Sequence, residues 1–528
     1  MRLILHSVVL LALFALGAAS PPAAHFDIGA DPSTLDPLFA HADAASVDAQ
    51  LARLVFEPFI EIDQHGNAIP ELLARIPTQQ NGDVSADGRT IVYHLRPNVQ
   101  WSDGVPVTAD DVLFTLRAIL DPANPVRSRE GYDLIDRATK RDAHTVVFHL
   151  KHAWGPGVVS FFSYGAAPQF VLPEHVLSHE GDLAQARFNA HPIGDGPYVL
   201  SSWQRAQRLI YESNPRYWRG EPKVRRLNVD VVPDPGTNLT LLQSGNLDWN
   251  LIAPYQYGVV EHNARLLFRM VPLALVAGIA MNVQHPPLDD VRVRRAIAQS
   301  IDREAISRKI ALGRYPVIDT AQPLFSWARD PKVRQPGFDP GAADRALDAD
   351  GWLRGPDGMR EKDGKRLSLV YVQFPETRTG VAAATFIQAE LRLRGIEVAI
   401  KSISNAQLFL PKTGILASGN YDLAYVPWQM GADPDDSWLF RCEAAGNVMR
   451  WCDRRVDALE QQAVSTVDMA KRKKIYAEIE RIVAQQVPIL FLFDPSYLYA
   501  YDKRLDGFWP NAFSPTWNAW DWRITAAR

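Results

Sequence analysis

Gly395 constrains the fold of this chain more than any other single residue. From about Thr379 to Arg394, Ala384, Ile387 and Leu391 recur on one face at helical spacing, and Ile396, Val398 and Ile400 then alternate with period two. A residue free to adopt positive φ ends such a helix, which makes Gly395 the expected stop. A helix running through one glycine into a strand is α/β architecture. The rest of the chain reads the same way. Ile91, Tyr93 and Leu95 alternate as a strand, and Ser102-Asp103-Gly104 turns the chain. Thr108 is placed to cap a helix, with Asp111 completing an imperfect capping box. Val112, Leu113, Leu116, Ile119 and Leu120 form its apolar stripe, and Asp121-Pro122 stops it. Val146, Phe148 and Leu150 mark another strand. After Pro286-Pro287, the spacing of Val293, Ile297, Ile301 and Ala305 predicts one helix capped by Asp290. Two helical stretches flank Ser465-Thr466, and Pro488 to Phe493 reads as a buried strand.

At 528 residues the length suggests three to four domains or fewer large ones. The 38 prolines and 32 glycines are spread evenly, which argues for one multi-lobed body rather than beads on a string. Lys and Arg total 56 against 60 Asp and Glu, so there is no basic excess for a nucleic-acid backbone. Arg2, the apolar stretch Leu3 to Leu16 and the small residues Gly17-Ala18-Ala19-Ser20 have the layout of a secretory signal, cleaved near Ala19 or Ser20. Its loss takes the formal charge from −4 to −5, because Arg2 is its only charged side chain. No later run of apolar residues is long enough to span a bilayer, and no Cys near the cleavage point could carry a lipid. The expectation is a soluble, exported, periplasmic protein. Cys442 and Cys452, the only cysteines, read as a disulfide in an oxidising compartment or as two buried thiols.

Motifs of catalysis are missing from the sequence. There is no G-x-S-x-G elbow, no H-E-x-x-H and no phosphate-cradling glycine loop, so no catalytic residue, metal site or cofactor is expected. Asp433, Asp435 and Asp436 open like a calcium loop but lack its Gly and its Glu, and read as a polar capping loop. Trp509, Trp517, Trp520 and Trp522 read as an aromatic patch pinning the C-terminus, with a ligand-stacking surface as the alternative.

Several segments, taken in order, resemble the family 5 extracellular solute-binding proteins, which include the oligopeptide-, dipeptide- and nickel-binding proteins of ABC importers. The signature run extends from Tyr93-His-Leu-Arg-Pro through Trp101-Ser-Asp-Gly to Val112. Thr34-Leu-Asp-Pro37 and Leu54-Val-Phe-Glu-Pro-Phe59 precede it. Gly194-Asp-Gly-Pro-Tyr198, the run from Asn214 to Pro222, Ser244-Gly-Asn-Leu-Asp248 and Asp290 to Ile297 follow it. The last of these carries Arg292, Arg294 and Arg295, expected on a solvated helix face.

The resemblance implies a bilobal α/β fold of the periplasmic-binding-protein type II-like class, with an extra inserted subdomain and a two-strand hinge. Lobe I would comprise 21–55, 190–273 and 488–528, the subdomain 56–189 and lobe II 274–487, with ligand in the cleft between lobes I and II. It implies a monomeric binder, not an enzyme, that captures a peptide and delivers it to an ABC permease in the inner membrane. A metal-chelate, opine or oligosaccharide cargo is the alternative, and a secreted hydrolase a more distant one. Site residues follow by position. Trp428 matches a lobe II tryptophan. Asp433 is the candidate partner of a peptide amine, although the spacing is one residue short. Arg378 is the candidate partner of a carboxylate, and Asn282 a cleft-facing polar group. Phe440-Arg-Cys442 and Trp451-Cys452 match the dipeptide-binding branch, which implies the disulfide.

Overall fold

The computed structural model describes residues 22–40, 47–164, 169–375, 377–410 and 412–525; the leader and its cleavage point lie outside them. Local signals act as their chemistry dictates. Thr108 accepts from the Asp110 N–H, and its own N–H donates to Asp111 Oδ2 at 2.8 Å, so an Asp completes the box at the start of helix Ala109–Leu120. Gly395 adopts φ +79° between helix Arg378–Leu393 and strand Glu397–Ser402.

The region after Pro286-Pro287 departs from the expected single helix. It forms two, Val291–Ser300 and Arg303–Ile310, with Ile301 extended between them. Asp302 forces the break, because its carboxylate accepts from the Ala305 N–H at 2.8 Å and caps the second helix. The three arginines do not share a solvated face either. Arg292 and Arg295 are exposed, but Arg294 is buried. Its guanidinium donates to Leu288 O at 2.8 Å and twice to Gln486 O, at 2.8 and 2.9 Å. Gln486 is the last residue of helix Met469–Gln486, so Arg294 satisfies a carbonyl that the helix leaves open.

Two sheets carry the molecule. The seven-stranded sheet runs in the order Leu266–Pro272, Ser496–Asp502, Trp249–Ile252, Ala23–Ile28, Arg226–Val231, Arg208–Ser213 and Tyr198–Gln204. The five-stranded sheet runs Glu397–Ser402, Ser368–Gln373, Leu423–Gln429, Leu275–Met281 and Ile489–Phe493. Each has its own large apolar core. The first core also takes in the strands Thr90–His94 and Thr145–Leu150, which with Ile135–Asp142 form a third sheet. The chain passes between the two large sheets at 272–275 and at 493–496, and Leu273 N–H donates to Pro495 O at 3.0 Å where the passages meet. Strand Ile489–Phe493, placed with lobe I by the boundary at 488, pairs with Leu275–Met281 in the five-stranded sheet. The fold is a bilobal α/β body.

Cys442 and Cys452 form a disulfide, with their Cα atoms 4.5 Å apart. Of the C-terminal tryptophans, Trp517 and Trp522 are buried, and Trp522 packs with Phe26, Trp249 and Phe508. Trp509 instead lies exposed under the Arg269 guanidinium, 3.4 Å from ring centroid to charge. Among the described residues no helix is long and apolar enough to cross a membrane.

Because the Arg294 guanidinium is buried against the Leu288, Asp289 and Gln486 carbonyl oxygens, Arg294→Ala should destabilise the fold by about 2–4 kcal/mol in urea denaturation. Arg295→Ala, one residue on and exposed, should cost less than about 1 kcal/mol.

Candidate functional site

Strand Leu423–Gln429 is buried along most of its length, and its alternation delivers Trp428 to one end of the five-stranded sheet. Beyond it, Met430 N–H donates to Ala274 O at 2.8 Å and Ala274 N–H to Ala512 O at 3.3 Å, which pins this end of the strand to the passage between sheets. A cavity of about 790 Å³ opens there, within the range of small-ligand pockets. Trp428, Met430 and Trp438 line one wall, and Tyr132, Trp154 and Tyr164 line the other. Phe513 closes the base, stacked on Tyr164 with centroids 4.8 Å apart and set against Phe325 at 5.6 Å. The walls touch beside the cavity, where Ala432 N–H donates to Tyr164 O at 3.2 Å and Gly155 N–H to Val464 O at 2.6 Å.

The charges in this aromatic chamber are unequal in kind. Asp433 lines it, but its two carboxylate oxygens accept from Arg472 at 2.5 and 2.7 Å, a buried bidentate pair. Asp435 has no such partner. It accepts from the Ser437 N–H at 3.0 Å and from the Ser437 side chain, and burial with the nearby Asp433 charge raises its pKa. Glu130, on the opposite wall, is raised by burial and by the Asp435 charge. Two carboxylates thus face one chamber. Lys412 lines the outer rim and is exposed.

Behind the chamber Asp436 and Glu460 form a buried acid pair. Gln322 Nε2 donates to Asp436 Oδ2 at 3.0 Å, while both Glu460 oxygens lack a hydrogen-bond donor other than the Asp436 carboxyl. Burial and the Asp435 charge push Asp436 up to about 7, and burial with the Asp436 and Asp435 charges pushes Glu460 well above the ordinary carboxylate range, so the pair holds a proton at neutral pH.

The residues expected from the sequence fall in different places. Trp428 and Asp433 line the chamber, with Asp433 committed to Arg472. Asn282 does not face it: its side chain is buried in the interior, where Nδ2 donates to Gly419 O at 2.9 Å and Tyr421 O at 3.2 Å. Arg378 lines a second cavity, with its guanidinium 4.8 Å from the Tyr255 ring centroid. Glu130, Tyr132, Trp154 and Tyr164 were missed, because they come from 128–164, far in sequence from Trp428; the expected cleft lay between lobes I and II. The aromatic residues of that stretch, Tyr132, Trp154 and Tyr164, were the only sequence signal.

A two-core body with an aromatic chamber where its halves meet defines a binder of small solutes. The chain matches the model of the bacterial extracellular solute-binding proteins, family 5 (middle region), over residues 68–448, and it belongs to that family. It is 27% identical over 512 residues to the dipeptide-binding protein of Pseudomonas aeruginosa, covering 92% of this chain and 91% of that one. It is 29% identical over 506 residues to protein XP55 of Streptomyces lividans, covering 91% and 85%. Among solved structures, the ABC transporter substrate binding protein CtaP from Listeria monocytogenes superposes with a TM-score of 0.84 at 21% identity, over 96% of this chain and all of that one. NikA from Brucella suis, in complex with Fe(III)-EDTA, gives 0.82 at 21% identity, with 96% and 100% covered.

The Asp436–Glu460 pair sets a pH dependence. Its folded pKa values lie above the unfolded ones, so folding takes up protons between about pH 4 and 7 and stability falls as pH rises through that window. The thermal midpoint should be higher at pH 5 than at pH 8, and Glu460→Gln should flatten the difference. A slope unchanged by Glu460→Gln would show that other buried acids set it.

Proposed function

We propose that this protein is the exported, periplasmic solute-binding component of an ABC importer, and that its cargo is a peptide with a free α-amine. The observation that carries the reading is the pairing of Asp435 with Glu130 across an aromatic chamber. Glu130 is solvent-exposed and Asp435 half-buried, and neither is in a salt bridge among the described residues, so an ammonium group of a guest placed between them relieves the repulsion that raises Glu130. The ammonium also meets the faces of Trp428 and Tyr164, which attract cations. Asp435 therefore takes the role that position alone suggested for Asp433, whose charge Arg472 already neutralises.

Several of the relatives are named as peptide-binding proteins, in keeping with this cargo. In the mechanism, the subunit grips and does not break bonds. Asp435 belongs to the body of the five-stranded sheet and Glu130 to the opposite body, so one ammonium touches both. Contact with both halves is what shifts the population toward the closed form, since a guest held by one half favours neither state. The halves pivot at 273–274 and 494–495, which puts lobe II at about 274–493, and the closed form is handed to a permease. The leader is removed on export.

Calorimetry on the purified chain, stripped of carried ligand, tests this. Di- to pentapeptides with free amines should bind, and N-acetylation should weaken binding at least tenfold. Asp435→Asn should weaken it about tenfold to a hundredfold, the value of one to two charge-assisted hydrogen bonds. Absence of binding across the peptide set, or indifference to Asp435→Asn, rejects the reading.

A further inference from the structure

The halves also meet through two tyrosines and two arginines. Tyr255 and Tyr257 lie on the connection between strands Trp249–Ile252 and Leu266–Pro272 of the seven-stranded sheet. Arg314 follows helix Arg303–Ile310, and Arg378 opens helix Arg378–Leu393, both in the body of the five-stranded sheet. The Arg314 guanidinium stands 3.8 Å from the Tyr257 ring centroid, and the Arg378 guanidinium 4.8 Å from that of Tyr255. Each contact of cation on ring therefore crosses from one half to the other. Tyr255 and Arg378 line the second cavity, of about 560 Å³, whereas Tyr257 and Arg314 line neither cavity.

Three features single these contacts out. First, neither arginine makes an ion pair or a side-chain hydrogen bond among the described residues, so the ring is the group each cation faces. Secondly, Arg378 is the first residue of its helix, where the positive end of the helix dipole disfavours a cation. The helix gives no reason for a charge of this sign, and the electron-rich face of Tyr255 does. Thirdly, both sides of the Arg314 contact are set in advance. Tyr257 packs edge-on against Phe268, with centroids 5.0 Å apart, on a small core of the seven-stranded body. Arg314 is presented by a turn with positive φ at Leu312 and Gly313, in which its N–H donates to Ala311 O at 2.8 Å and Ser307 Oγ donates to Tyr315 O at 2.6 Å. Groups held in this way lose less freedom when they meet.

We propose that Tyr257–Arg314 and Tyr255–Arg378 form a latch that shifts the guest-free chain toward the closed form. Cation–π contacts of this exposure favour closure about twofold to fivefold each, and about fivefold to thirtyfold together. A binding-competent form that is more populated raises apparent affinity, so the latch tightens the hold on any guest that needs both halves. Arg314 acts here as a positioning residue, because it lines neither cavity and reaches a guest only through closure. The latch does not depend on what the guest is.

Small-angle scattering from the purified chain, stripped of carried ligand, tests the latch. The double variant Arg314→Gln/Arg378→Gln should have a larger radius of gyration than wild type, with an unchanged circular dichroism spectrum. A two-state fit of the profiles should return a closed-to-open ratio lower by about fivefold to thirtyfold. Arg378 is exposed and Arg314 half-buried, so neither change empties a core. At Tyr257, two substitutions separate the ring from its bulk. Tyr257→Phe keeps the aromatic face and should scatter as wild type does, whereas Tyr257→Leu removes it and should scatter as Arg314→Gln does. Identical radii for wild type and the double variant, or a Tyr257→Phe chain as expanded as Tyr257→Leu, overturns the latch. The measurement uses no guest, so its outcome is independent of the peptide reading.

Discussion

The two short crossings at 273–274 and 494–495 govern everything that the rest of the molecule can do. Each strand that leaves one sheet enters the other almost at once, so the halves are joined by backbone hydrogen bonds as well as by covalent chain. Leu273 donates to Pro495 O, and Asp494 holds the neighbouring loop by accepting from Leu324 N–H at 2.7 Å while its own N–H donates to Pro316 O at 2.9 Å. Such a joint leaves few dihedrals in which motion can be absorbed, which is the condition for closure by rigid halves. Burial raises the Asp494 pKa to about 7, so at neutral pH the proton of this joint is only partly lost. The two cavities sit on surfaces that these crossings bring together: Ala274 supports Met430 in the first chamber, and Ser496 opens into the second.

The charge pattern of the chamber depends on which carboxylates the fold has already paired. Asp433 and Asp435 are two residues apart, but they differ in chemistry because Arg472 reaches only one of them in a bidentate grip. Arg472 in turn sits on helix Met469–Gln486, whose far end Arg294 ties to the region after Pro286-Pro287. The charge in this chamber is thus set partly by helix placement well outside it. Removing the Arg472 charge would free Asp433 at the cost of a buried unpaired acid, so the arrangement is not easily retuned by one substitution.

Local chemistry was legible wherever one residue decides a local geometry. Gly395, the Thr108 and Asp290 caps and the Asp121-Pro122 stop all act where their side chains or φ angles require. The break at Asp302 was hidden because apolar spacing continued across it, and spacing reports a common face, not a continuous axis. Burial of Arg294 was hidden because an arginine among arginines looks solvated until its carbonyl partners, distant in sequence, are known. The site followed the same rule. Trp428 was found through its family position, whereas Glu130, Tyr132 and Trp154 meet it only through tertiary packing. Asn282 illustrates the converse: an amide that looks available in sequence is used up in satisfying Gly419 and Tyr421 carbonyls.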